Sequence, residues 1–444
     1  MRSAAAVLIV AACGTHGASD IPIARDQVAL VPVADRQDID LLFVLDDSIG
    51  GLEMQTYLKA AFPAFLSELT TRRELPSLHI GVVSSDLGAL GAEDSAPGTG
   101  VGSGPGSCNG FGRNAALQTN MTTLITGKFI ADIRNSDGTR TVNYTGTLTN
   151  AFAAIASLGG SGCGFEQPLE AMKRALDNHP DNAGFVRDVP LAIVVLTDED
   201  DCSFARSSFL DKDQTLLGPL QSFRCTRFGV VCDEGGTTTE EMYVIGEKSR
   251  CHWADDSPYL TLRTRYETFL RSVHGDPRDI LLTAIAGAPG RGESLEVEAR
   301  TPPGGGTAIP ALKHTCRFNG ALGAEVADPA LRIKELTGAV PRGRFEDICD
   351  SDYMPDVLAI AREIRGMLGD SCLTRDIAVP ADCEVFDQTL VREVEVPRCS
   401  TTRKTDCYQL VEDEACTTSH HLRVEVTRSG TPPADTMVAV RCRL

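Results

Sequence analysis

The chain is short of several features that would announce a chemistry. Lysine and arginine number 42 against 61 aspartates and glutamates, a formal charge of -19 at pH 7. A nucleic-acid backbone or an anionic bilayer repels such a surface at long range, so neither is an electrostatic partner, and the exterior is soluble and acidic. None of the 15 cysteines stands in a C-x-x-C pair, so neither a zinc knuckle nor a redox dithiol is signalled. The glycine-rich run from Gly98 to Gly106 lacks the Gly-Lys-Ser/Thr ending of a phosphate-binding loop and reads as a flexible surface insertion pinned by Cys108. No Gly-x-Ser-x-Gly elbow or His-Glu-x-x-His run occurs, and of the eight histidines only His420 and His421 are adjacent. The chain is therefore read as a non-enzyme, with hydrolysis at the acidic run Asp198-Glu199-Asp200-Asp201 the weakest alternative. Aromatics make up only 5% of the residues, yet 42% hydrophobic content over 444 residues is enough for a full core and a second small domain.

Two stretches organise what is present. Asp40-Leu41-Leu42-Phe43-Val44-Leu45 and Leu191-Ala192-Ile193-Val194-Val195-Leu196 are apolar runs that can be covered on both faces, as central parallel strands are, and each stops at carboxylates. In an open parallel α/β sheet, ligands bind at the carboxyl ends of the strands, so Asp46, Ser48 and Asp198 are expected to converge. Convergent oxygens suit a hard divalent cation. Between the two strands the spacing predicts helices over 52–62, kinked at Pro63, over 148–158 and over 168–176, with a strand over 78–86. Beyond them lie helices over 260–273, 331–336 and 357–368 and strands over 280–287 and 343–349. The alternation specifies a doubly wound, mostly parallel α/β sheet with insertions at about 88–147 and a cysteine-rich one at about 200–257. Past Cys372, short alternating segments such as Leu422–Val426 and Met437–Val440 indicate a small disulfide-rich β module over 371–444.

At its acidic strand ends the chain resembles a von Willebrand factor type A (vWA) domain. That family's metal-ion-dependent adhesion site uses an Asp-x-Ser-x-Ser loop, a Thr loop and a later Asp. Asp46-Asp47-Ser48-Ile49-Gly50 supplies the Asp and the first Ser, with Gly50 in place of the second, and Leu196-Thr197-Asp198 is similar to the later Asp. The Thr loop corresponds to Gly162-Cys163-Gly164-Phe165-Glu166-Gln167, which has no Thr and places Glu166 or Gln167 near the expected position; read from the residues alone, Glu166 is first an N-terminal helix carboxylate facing the macrodipole. The resemblance covers roughly residues 38–368 and extends to vWA-containing lipoproteins of Gram-negative bacteria. It implies a cation, Mg²⁺ or another divalent ion, held by Asp46, Ser48 and Asp198, with a protein partner's carboxylate completing the shell. Mg²⁺ takes about six oxygens and readily keeps waters, one of which could replace the hydroxyl missing at Gly50.

Met1 to Cys13 has one positive charge, a short apolar core and small residues before the cysteine, which reads as an export signal too short for a stable anchor. Val10-Ala11-Ala12-Cys13 resembles a bacterial lipobox, which makes Cys13 the lipidated first residue after a signal peptide over 1–12; an ordinary cleaved signal is the alternative. Residues 13–37 read as a tether, and since Gly14 and not Asp follows Cys13, the resemblance to the known lipoprotein sorting pattern implies the outer membrane. Fourteen cysteines remain after Cys13, enough for seven disulfides. Proximity suggests Cys108 with Cys163 and two bridges among Cys202, Cys225, Cys232 and Cys251. The expected function is adhesion or binding at the cell envelope, the alternative a metal-independent scaffold.

Overall fold

The computed structural model describes residues 25–302, 305–319, 324–349 and 354–444. Strands whose side chains are buried on both faces form its centre. Every residue of Ser77–Ser84 and Leu191–Leu196 is buried, and so is all of Asp38–Leu45 after its first residue. Five parallel strands run in the order Arg342–Asp347, Ile280–Ala286, Leu191–Leu196, Asp38–Leu45, Ser77–Ser84. Ile130–Arg134 and Arg140–Val142 extend the sheet antiparallel beyond Ser77–Ser84.

Because side chains alternate along a strand, one segment serves two cores. Leu41, Phe43 and Leu45 point to the face covered by the helices Gly51–Leu69, Leu148–Ile155 and Met354–Met367. Leu42 and Val44 point to the other, under Pro168–Leu176, Arg263–Val273 and Leu331–Gly338. Each fully buried large aliphatic side chain contributes about 1.5–3 kcal/mol. The result is a mixed α/β fold with a mostly parallel seven-stranded sheet.

Three expectations are corrected. Residues 26–32, expected within the tether, form a strand that pairs antiparallel with Met437–Cys442. The region expected to be a flexible surface insertion supplies both antiparallel strands, and it buries Ala89, Leu90, Ala115 and Leu117 against the protein. The helix expected over 52–62 runs on through Pro63 to Leu69. Cys13 and the signal segment lie outside the described residues.

The strand Asp26–Pro32 belongs to a four-stranded sheet with Met437–Cys442, Cys383–Gln388 and Glu393–Val396, beside the hairpin Cys407–Glu412 and Leu422–Thr427. Val28, Val385, Val438 and Val440 are its core. The pairs Cys372–Cys416, Cys383–Cys442 and Cys399–Cys407 staple it. Elsewhere Cys108–Cys163, Cys202–Cys225 and Cys232–Cys251 form as proximity suggested, and Cys316–Cys349 is the seventh bond. Seven disulfides point to an exported chain that matures outside the reducing cytosol. Among the described residues, no helix is long and apolar enough to cross a membrane.

Candidate functional site

The sheet changes direction between Asp38–Leu45 and Leu191–Leu196, since the chain builds outward from this pair on either side. Leu45 lies opposite Leu196, and the Asp46 N–H donates to the Leu196 carbonyl at 3.0 Å, so Asp46 and Thr197 leave the sheet side by side. The buried Asp46 carboxylate is divided between two loops. Its Oδ1 accepts the Ser48 N–H at 2.7 Å, and its Oδ2 accepts the Thr197 hydroxyl at 3.1 Å. Ser48 thus reaches Asp46 through its backbone.

Glu166 is brought to the same place from the third loop. Its carbonyl accepts the Cys202 N–H at 2.8 Å and the next residue's N–H donates to Ser85 O at 2.9 Å, which pins the turn above the sheet. The side chain is 1% exposed and its Oε2 has no hydrogen-bond partner. Burial, then Glu199, Asp46 and Asp198, push its carboxyl well above the usual range. Asp198 is likewise driven well above it by burial, by Asp46 and by Glu199, and its Oδ1 also lacks a partner. Burial and Asp328 raise Glu199 to about 8, although hydrogen bonds from Glu166 and Ser222 pull the other way. Ser222 comes from the cysteine-rich insertion, which therefore covers one side of the site.

Gly50 is where the structure departs most from expectation. A Cβ there would lie 2.0 Å from Asp198 Oδ2, so the aspartate itself takes up the space that the expected replacement water would share. The position is helical, at φ -61° and ψ -32°, so crowding and not backbone conformation excludes a side chain.

Several residues that hold the site escaped the sequence reading. Gln55 donates to the Asp46 carbonyl at 2.8 Å and to the Gly159 carbonyl at 2.9 Å, while its own oxygen accepts the N–H groups of Leu158 and Gly159. It ties the Asp46 loop to the turn leading to Glu166. Asp47 accepts Ser84 Oγ at 2.6 Å and Arg113 Nε at 3.3 Å, and burial still lifts it to about 7. Only the acidic character of the 46–47 pair was visible beforehand.

Asp200 and Asp201 do not join the site. Asp200 accepts the N–H groups of Arg332 and Ile333 at the start of the Leu331–Gly338 helix. Asp201 pairs with Arg332 Nη2 at 3.0 Å and accepts the Leu169 N–H at 3.1 Å. Both serve as helix caps.

Asp46, Glu166, Asp198 and Glu199 therefore form a cluster of hard oxygen donors with two unsatisfied atoms, which matches a divalent cation in ligand chemistry. In position the match is incomplete: among the described residues, no three His, Cys, Asp or Glu side chains are placed to hold a metal ion as they stand.

No protein-family model matches the chain, and no curated protein matches it. Among solved structures it is similar to the conserved hypothetical protein BatB from Bacteroides thetaiotaomicron, at 11% identity and TM-score 0.28, over 75% of this chain and 100% of that one. It is also similar to the pilus adhesin SpaC from Lactobacillus rhamnosus GG, at 9% identity and TM-score 0.32; 94% of this chain is covered, which spans 41% of the adhesin.

Proposed function

We propose that the chain is an envelope protein of vWA architecture, lipid-anchored through Cys13 in the outer membrane, that binds a protein partner at the carboxyl ends of its parallel strands through a divalent cation. The observation that carries this reading is the meeting of Asp46, Glu166, Asp198 and Glu199 with two carboxyl oxygens left without partners. The strand order, with its reversal beside Asp46, supports the family assignment. Four carboxyl groups held together repel one another, and Glu166, Asp198 and Glu199 hold their protons more tightly as a result; a cation relieves the same repulsion and offers a coordination position to a partner's carboxylate. Asp46, Glu166 and Asp198 would hold the ion, Ser48 would add its hydroxyl, and Glu166 and Glu199 would supply the anionic oxygen that offsets the loss at Gly50. Ile49, 62% exposed, stands beside the carboxylates and gives a partner an apolar foothold.

Calorimetry with Mg²⁺, Mn²⁺ and Ca²⁺ on the wild type and Asp198→Ala tests the site. Saturable heat that disappears in the variant supports it; silence in a folded wild type refutes it. The scaffold reading has one observation in its favour, the closure of the Asp46 loop by Ser48 N–H and Thr197 Oγ1 with no ion needed. Under that reading Asp46→Ala leaves partner binding intact. Anchoring has its own test: Cys13→Ser should move the protein from the membrane fraction to the soluble one.

A further inference from the structure

A polar cavity of ≈ 190 Å³ lies far in the fold from the carboxylate cluster, lined by the strand Asp26–Pro32, the start of Arg342–Asp347 and the helix Met354–Met367. Its most unusual wall is Arg342, which is 4% exposed. The Arg342 Nε donates to the Arg278 carbonyl at 2.6 Å and Nη2 faces Met437 Sδ at 3.6 Å, but Nη1 is buried with no partner. Burial pulls this guanidinium down to about 10, with Glu363 the nearest compensating charge by effect. One oxygen of Glu363 is engaged: Oε1 accepts Arg344 Nη1 at 3.0 Å and Thr374 Oγ1 at 2.7 Å. A second guanidinium, Arg375, lines the same cavity, and its Nε is also buried without a partner. Gln27 gives its amide N–H to the Pro341 carbonyl at 3.0 Å and leaves its own oxygen as an acceptor on the wall.

Unsatisfied buried guanidinium N–H groups are costly, and an oxyanion is the ligand that satisfies two of them at once. The acceptors on the wall select among oxyanions. A carboxylate or sulfate ion has only acceptor oxygens to offer Glu363 and Gln27, whereas hydrogen phosphate has a P–OH that can donate to them. We propose that this cavity is a binding site for a free hydrogen phosphate ion, with Arg342 Nη1 and Arg375 on its oxygens and the P–OH directed to the Glu363 carboxylate. The site is independent of any cation at Asp198.

The test is calorimetry and thermal shift on the full chain near pH 8, where free phosphate is mostly singly protonated and still carries one P–OH, with phosphate, sulfate and chloride at equal ionic strength. Saturable phosphate binding, at least tenfold tighter than sulfate, is expected. Arg375→Gln should weaken it at least tenfold in a protein that remains folded, and Arg342→Met should abolish it. Asp198→Ala should bind phosphate as the wild type does. Indistinguishable responses to the three anions, or unchanged binding in a folded Arg375→Gln variant, would overturn the assignment.

Discussion

Four carboxylates follow one another at the end of Leu191–Leu196, and the chain treats them as two pairs. Asp200 and Asp201 face backbone N–H groups and the guanidinium of Arg332, which is wholly buried with Asp201. Asp198 and Glu199 face Asp46 and Glu166, so their neighbours add negative charge instead of cancelling it. Burial is common to both pairs and raises Asp200 to about 7 despite its partners. The difference lies in what a change does: one pair stabilises the fold and loses by alteration, while the other stores repulsion that something else must relieve.

The largest effect is expected where the compensated pair loses its cation. Arg332→Met leaves Asp201 buried and unpaired and should cost about 3–5 kcal/mol in urea denaturation; a change under about 1 kcal/mol would erase the contrast. Gly50→Ala comes next. It pushes a methyl group against Asp198 and should cost about 1–3 kcal/mol, a loss that Asp198→Ala should remove in the double variant. On the repelling side the sign reverses, and Asp198→Asn should stabilise the metal-free protein by about 1 kcal/mol at pH 8 while abolishing any effect of divalent ions on the thermal midpoint. Destabilisation there would mean that Asp198 is compensated after all.

The most gradual expected effect is a slope with pH. Glu199 moves from 4.5 to about 8 on folding, so between those values the folded chain keeps a proton that the unfolded chain has released. Stability from this group is full below the unfolded value and is lost as pH rises toward 8. Glu166 and Asp198 shift in the same direction. Thermal midpoints measured in chelator should therefore fall from pH 5 to pH 8, and Asp198→Asn should flatten the fall. A midpoint that rises over this range would contradict the direction of all three shifts.

Local chemistry made the central strands legible. Leu41 to Leu45 are apolar on both faces, and carboxylates mark where the strand ends. Asp46, Asp198 and Glu166 were visible for the same reason, as acids at strand ends and in a tight turn. The strand Ile130–Arg134 was hidden because Asp132, in its middle, is polar yet buried, satisfied by Arg140 and by the Tyr144 hydroxyl at 2.6 Å. Nothing within residues 26–32 marks their pairing either, since the partner strand begins at Met437. Gln55 and the division of the acidic run were out of reach because four adjacent carboxylates are alike until tertiary structure supplies Arg332 to one pair and Glu166 to the other.

The pairing of Asp26–Pro32 with Met437–Cys442 has a mechanical consequence. Any tension in the segment preceding residue 25 enters the protein through this strand, and six register pairs from Asp26 with Cys442 to Pro32 with Met437 share a pull directed along it. Such a load shears the ladder all together, and Cys442 is bolted to Cys383 on the next strand. The carboxylate cluster stands at the far end of Asp38–Leu45, about 26 Å along a strand of that length, so a tug on the chain is absorbed in the β module before it can strain the site.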